Sequence, residues 1–161
     1  MRPLDRIDYQ ILDILQKEGR ISMSELAARV HLSTTPCSER VKRLEREGVI
    51  LGYHARLNPK SVDRNLLVFV EIKLSAKSGE VFEQVAENLS SLPEVLECHL
   101  ISGEFDYLVK ARLKEMSAYR RLLGDLLKQL PASASSHSYV VMEEVKERQS
   151  QIGRASCRER V

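Results

Sequence analysis

The chain has 161 residues, 43% hydrophobic, 30% charged and 5% aromatic, with no Trp, which is globular composition and excludes a fibrous or disordered chain. No run approaches the ~20 apolar residues of a membrane span and no apolar leader opens the chain, so a soluble cytoplasmic protein is expected. The formal charge of +2 points to no polyanion by itself: residues 1–57 hold 10 Lys and Arg against 8 Asp and Glu, residues 58–151 hold 12 against 14, and the last ten residues hold 3 against 1.

Three helical stretches crowd into the first 48 residues. The first is predicted over residues 5–17, with Ile7, Ile11, Ile14 and Leu15 at helical spacing and Gly19 as its stop. The second opens with Ser22-Met23-Ser24-Glu25, a capping-box pattern in which Ser22 caps and Glu25 reaches back, and it turns Leu26, Ala27 and Val30 inward. After the short link His31-Leu32-Ser33, the third helix takes Ser33 as its cap and Gly48 as its stop.

In that third helix Cys37, Val41 and Leu44 form one apolar stripe. The other faces carry Thr34, Thr35 and Ser38 near the N-terminal end and cations further along, the layout of a recognition helix whose first turns meet base edges while its cations meet phosphates. A solvated amphipathic helix has the same layout. The tight spacing of a short second helix, a short turn and a polar third helix favours a helix-turn-helix. The segment 49–57 then suggests a winged variant, with a strand pair or an extended stretch.

Asn58-Pro59 breaks the pattern, and residues 58–65 read as a polar linker. Beyond it strands are expected at 66–74, 95–101, 107–113 and 138–145, and helices at 79–92 and 116–130. This βαββαβ order over residues 66–147 is the ferredoxin-like arrangement, a four-stranded antiparallel sheet with both helices on one face. The fold class is therefore α+β, and the uncovered sheet face calls for a two-fold partner. No enzymatic constellation is legible. His31, His54, His99 and His137 lack metal-ligand spacing, adjacent Cys98 and His99 point to opposite faces of a strand, and no phosphate-binding glycine loop or nucleophile elbow occurs. Cys37, Cys98 and Cys157 form no CxxC pair, which excludes a disulfide scaffold and a cysteine zinc site. Neither metal nor cofactor is expected.

Residues 148–161 form a tail. Its last ten, Ile152-Gly153-Arg154-Ala155-Ser156-Cys157-Arg158-Glu159-Arg160-Val161, continue no apolar periodicity and resemble the in-frame translation of a common sequencing adapter. They are expected to lie outside the natural protein.

Several segments carry a family resemblance. Leu4-Asp5-Arg6-Ile7-Asp8, Leu15-Gln16-Lys17-Glu18-Gly19-Arg20-Ile21-Ser22 and Thr35-Pro36-Cys37-Ser38-Glu39-Arg40-Val41-Lys42-Arg43-Leu44-Glu45 resemble the Lrp/AsnC family of transcription regulators. So do Leu66-Leu67-Val68-Phe69-Val70-Glu71-Ile72, Glu97-Cys98-His99-Leu100, Phe105-Asp106-Tyr107-Leu108 and Tyr139-Val140-Val141-Met142-Glu143-Glu144-Val145-Lys146. The resemblance covers residues 3–150. It implies an N-terminal winged helix-turn-helix and a C-terminal domain that senses an amino acid. It also implies homodimers that assemble to octamers or larger discs on double-stranded DNA, a nucleoid-associated protein free of membranes.

On this reading Thr34, Thr35, Ser38 and Arg40 contact base edges or nearby atoms, and Lys42, Arg43 and Arg46 clamp phosphates. Two half-sites about one helical turn apart make the target weakly palindromic. An amino-acid pocket needs an anion for the ammonium, backbone donors for the carboxylate and an apolar wall. Asp106 and the N–H groups near Gly103 supply the first two, and Met116, Tyr139, Val140 and Val141 supply a wall suited to leucine. Family effector positions match at Asp106, Met116 and the 139–141 strand, while Glu104 stands where the family more often has Asp. For the 139–141 strand, a dimer-interface or core role fits equally well. An effector-indifferent DNA-architectural protein of the same fold is the alternative, separable only by effector titration.

Overall fold

The computed structural model describes residues 2–131 and 134–147, so the segment 152–161 set apart above lies outside the described residues. The chain forms two compact units: residues up to Arg56, joined by Lys146 and Glu147, and Leu57–Val145.

The first unit is a three-helix cluster of α1 (Arg6–Leu15), α2 (Met23–Arg29) and α3 (Thr34–Arg46). Its core is Ile11, Leu12, Leu26, Ala27, Val30, Cys37, Val41 and Leu44, so each helix turns its apolar stripe to a common centre. Two caps differ from the sequence reading. Ser22 accepts the Glu25 N–H at 3.2 Å, but the Glu25 carboxylate pairs with Arg29 one turn on, leaving half a capping box. Ser33 occupies the N-cap of α3 with no side-chain cap bond. The full box sits on α1, where the Asp5 carboxylate accepts the Asp8 N–H and the Asp8 carboxylate accepts the Asp5 N–H. Gly48, at φ +70°, closes α3 in the left-handed conformation. Residues 49–57 contain no strand: Val49 and Ile50 pack on the helical core, and Leu51 to Leu57 run exposed. The wing is the extended stretch, not a strand pair.

In the second unit a single 3₁₀ turn (Pro59–Val62) precedes β1 (Leu66–Lys73), α4 (Gly79–Ser90), β2 (Val95–Leu100), β3 (Tyr107–Leu113), α5 (Met116–Gln129) and β4 (Ser135–Val140). The sheet order is β2-β3-β1-β4, antiparallel throughout, with Val70 opposite Val109 and Ser138. This is the expected ferredoxin-like sheet. Its core joins Val68, Val70, Ile72, Val109 and Ala111 from the strands to Val85 and Leu89 of α4 and Leu122 and Leu126 of α5, which places both helices on one face.

The opposite face carries Phe69, Leu108, Tyr139 and Val141 among ion pairs and hydrogen bonds such as Lys110–Glu97 and Tyr139–Glu71. β4 begins three residues earlier and ends five earlier than the sequence suggested. Ser135 and Ser136 read as loop by propensity, yet pairing along β1 supplies the ladder that propensity does not.

Candidate functional site: the third helix and a buried carboxylate

At about 100° per residue, Thr34, Ser38, Lys42, Thr35 and Arg46 of α3 fall within one arc of roughly 120° that begins beside Val41 and turns away from the stripe of Cys37, Val41 and Leu44. Thr34, Thr35, Lys42 and Arg46 are exposed and Ser38 is half-buried. Neither Lys42 nor Arg46 meets an acid among the described residues; Glu45, which accepts the Tyr53 hydroxyl at 2.9 Å, is the acidic member of the same arc, and Glu39 lies just beyond its edge. α3 therefore presents short hydroxyls over its first turns and two uncommitted cations beyond them, a surface able to meet a phosphate backbone.

Arg40 and Arg43 are placed differently. Both lie on the flank of α3 that faces α1. Arg40 Nη1 donates to Asp5 Oδ2 at 2.6 Å and to Asp8 Oδ1 at 2.8 Å, and Arg43 Nη2 donates to Asp8 Oδ2 at 2.6 Å. Asp8 is wholly buried, and the Arg43 side chain is 15% exposed. Burial opposes ionisation of Asp5, but the Arg40 guanidinium and the Asp8 N–H outweigh it and hold the carboxyl below its ordinary value. Two of the seven side chains assigned to DNA by sequence are thus spent inside the protein. The sequence reading missed Asp5 and Asp8 altogether. The available signal was a matched spacing, two acids three apart on one helix and two arginines three apart on another.

The six effector positions are split within one protomer. Asp106 sits where β1, β2 and β3 converge: its N–H donates to Ile72 O, its carbonyl accepts the Ile101 N–H, and its Oδ2 accepts the Leu74 N–H at 2.8 Å. Its Oδ1 lies 2.8 Å from Lys77 Nζ. The Lys77 ammonium first, and the Leu74 amide second, hold this carboxyl below the usual carboxylate range. Gly103 lies in the exposed turn beside it. Met116 starts α5 beyond the far end of β3, ~20 Å away at about 3.3 Å per residue.

Tyr139 and Val141 face the sheet side opposite the helices, where the Tyr139 hydroxyl donates to Glu71 at 3.1 Å, while Val140 faces the helix side. One protomer brings Asp106 and Gly103 together and leaves Met116 apart from them. Among the described residues no cluster of His, Cys, Asp and Glu is arranged to hold a metal, and no helix is long and apolar enough to cross a membrane.

A helix-turn-helix unit followed by a ferredoxin-like sheet unit defines a ligand-regulated DNA-binding protein. Residues 4–50 match the winged helix-turn-helix DNA-binding model, and residues 67–151 match the Lrp/AsnC ligand binding domain. The chain is 58% identical over 146 residues to the leucine-responsive regulatory proteins of Escherichia coli and Klebsiella pneumoniae, covering 91% of this chain and 89% of each relative. Its fold is similar to that of an AsnC family transcriptional regulator from Agrobacterium tumefaciens, with a TM-score of 0.86, 34% identity and coverage of 91% and 95% of the two chains. A transcriptional regulator from Neisseria meningitidis, solved as a complex with L-methionine, aligns with a TM-score of 0.85, 36% identity and coverage of 92% and 96%. The chain belongs to the Lrp/AsnC family, and it is a transcriptional regulator rather than an enzyme.

Proposed function

We propose that this regulator binds double-stranded DNA sequence-specifically through α3 and changes that binding in response to a free amino acid, leucine first, to control amino-acid metabolism genes. The observation that carries the reading is the exposed arc of α3, hydroxyls leading, then two cations that meet no acid among the described residues. Thr34, Thr35 and Ser38 are assigned to base edges or their neighbourhood, and Lys42 and Arg46 to phosphates. Arg40 and Arg43, engaged by Asp5 and Asp8, act on DNA only through the position of α3. The protein works in the cytoplasm, on the nucleoid.

The effector reading rests on Asp106, Gly103, Met116, Tyr139, Val140 and Val141. Because β3 separates Met116 from Asp106, a pocket using both draws them from different protomers, in keeping with a homodimer that assembles to an octamer or larger. An incoming ammonium competes with Lys77 for Asp106. The same Lys77–Asp106 pair favours a second reading, an effector-indifferent architectural protein, since the carboxylate is already satisfied.

Titration of leucine into the complex with a duplex selected from a random-sequence pool separates the two. A leucine-dependent change in affinity at fixed salt that Asp106→Ala abolishes supports the sensor. An affinity indifferent to leucine and to other amino acids supports the architectural role.

A further inference from the structure

The acidic N-terminus of α1 does more than cap that helix. The Asp8 carboxylate is wholly buried, which is costly for an ion unless several donors meet it. Three do: Arg40 Nη1 at 2.8 Å, Arg43 Nη2 at 2.6 Å and the Asp5 N–H at 3.0 Å. Its place in the first turn of α1 adds the favourable end of the helix dipole. Asp5 Oδ2 holds Arg40 from a second side at 2.6 Å. A single ion pair between two helices fixes one distance and leaves a helix free to roll. Grips on two side chains one turn apart on α3 fix both its axial rotation and its travel along α1.

That rotation decides which side chains occupy the exposed arc. Turning α3 by one residue position, about 100°, would carry Ser38 and Lys42 out of the arc in either sense. The pairing also neutralises charge. The two carboxylates and the two guanidiniums sum to zero, so Arg40 and Arg43 are withheld from phosphates, and the cations left to α3 are Lys42 and Arg46. Phosphate contacts bind any sequence, whereas base-edge contacts discriminate.

We infer that Asp5 and Asp8 are positioning residues for DNA recognition, which grip Arg40 and Arg43 so that α3 meets the groove in one orientation and with a restricted set of phosphate contacts. The inference rests on the reading of α3 as the groove-entering helix.

The test compares the full chain with Asp8→Asn on two duplexes of equal length across a salt series. One duplex is selected from a random-sequence pool with the parent protein, and the other is of random sequence. Asp8→Asn is expected to lower affinity for the selected duplex about tenfold or more while random-duplex affinity holds or rises. The plot of log affinity against log salt should steepen by roughly one to two units as one or both arginines reach phosphates. Adding Arg43→Gln to Asp8→Asn should take back about one unit of that slope without restoring discrimination. Asp5→Asn, which frees only one side of Arg40, should change both readouts less and in the same direction, and serves if Asp8→Asn folds poorly.

A proportional loss on both duplexes with an unchanged slope marks a merely structural role and overturns the inference. So does an unchanged ratio with an unchanged slope. Lys42→Ala with Arg46→Ala is the control on the underlying reading: a slope shallower by roughly two units supports α3 at the phosphates. An unchanged slope there overturns that reading and the inference together.

Discussion

Arg43, 35 residues along the chain from Asp8, donates through Nη2 to its wholly buried carboxylate at 2.6 Å and so fastens the third helix to the first. Removing the acid strands a largely buried guanidinium. Asp8→Ala is expected to cost the N-terminal unit about 3–5 kcal/mol, the range for breaking a buried pair from one side. Amide hydrogen exchange in α1 and α3 measures it, with the sheet unit as internal reference.

Gly48 follows α3 at φ +70°, and a Cβ built there would meet nothing within 4 Å. Any cost of Gly48→Ala therefore comes from the backbone alone. It should be about 1 kcal/mol, read as a shift in urea midpoint without a change in slope.

Leu126 is fully buried on α5 against the sheet. Leu126→Ala is expected to destabilise the sheet unit by about 2–5 kcal/mol. Hydrogen exchange should show the loss in β1, β3 and α5, with α1 to α3 unaffected.

Asp106 carries a pH signature. Its carboxyl lies below its ordinary value in the folded protein, with Lys77 as the largest cause. A depressed folded value means that the unfolded chain takes up the proton first. The contribution is complete above about pH 4 and is lost as pH falls through the folded value. Lys77→Met brings the folded value back toward the unfolded one, so the variant should lose less stability than the parent as the pH falls below about 4. Denaturation midpoints in that window check it, and a parallel fall in both proteins would contradict the assignment.

The elements whose signal is local were legible in the sequence. α4, β2, β3 and α5 start where the apolar periodicity and the strand-forming residues place them, because those residues face one core. β4 was misplaced because its serines gain their ladder from β1, a partner far off in sequence. The Ser22 cap was legible, whereas the answering Glu25 had Arg29 within reach and took the ion pair.

The polar arc of α3, on which the proposed DNA contact rests, shows in the sequence. Yet side-chain type alone could not separate Lys42 and Arg46 from Arg40 and Arg43, since the distinction lies in which flank packs on α1. The effector positions were readable as a set only through family resemblance. Their division between the two ends of β3 is a property of the sheet that no local pattern encodes.

The most direct test of the regulator account is equilibrium binding of the full chain to its selected duplex and to a random duplex of equal length, at fixed salt, with and without leucine. The account requires clear preference for the selected duplex, a change in that preference on adding leucine, and loss of the change in Asp106→Ala. Equal affinity for both duplexes, unmoved by leucine, would contradict it.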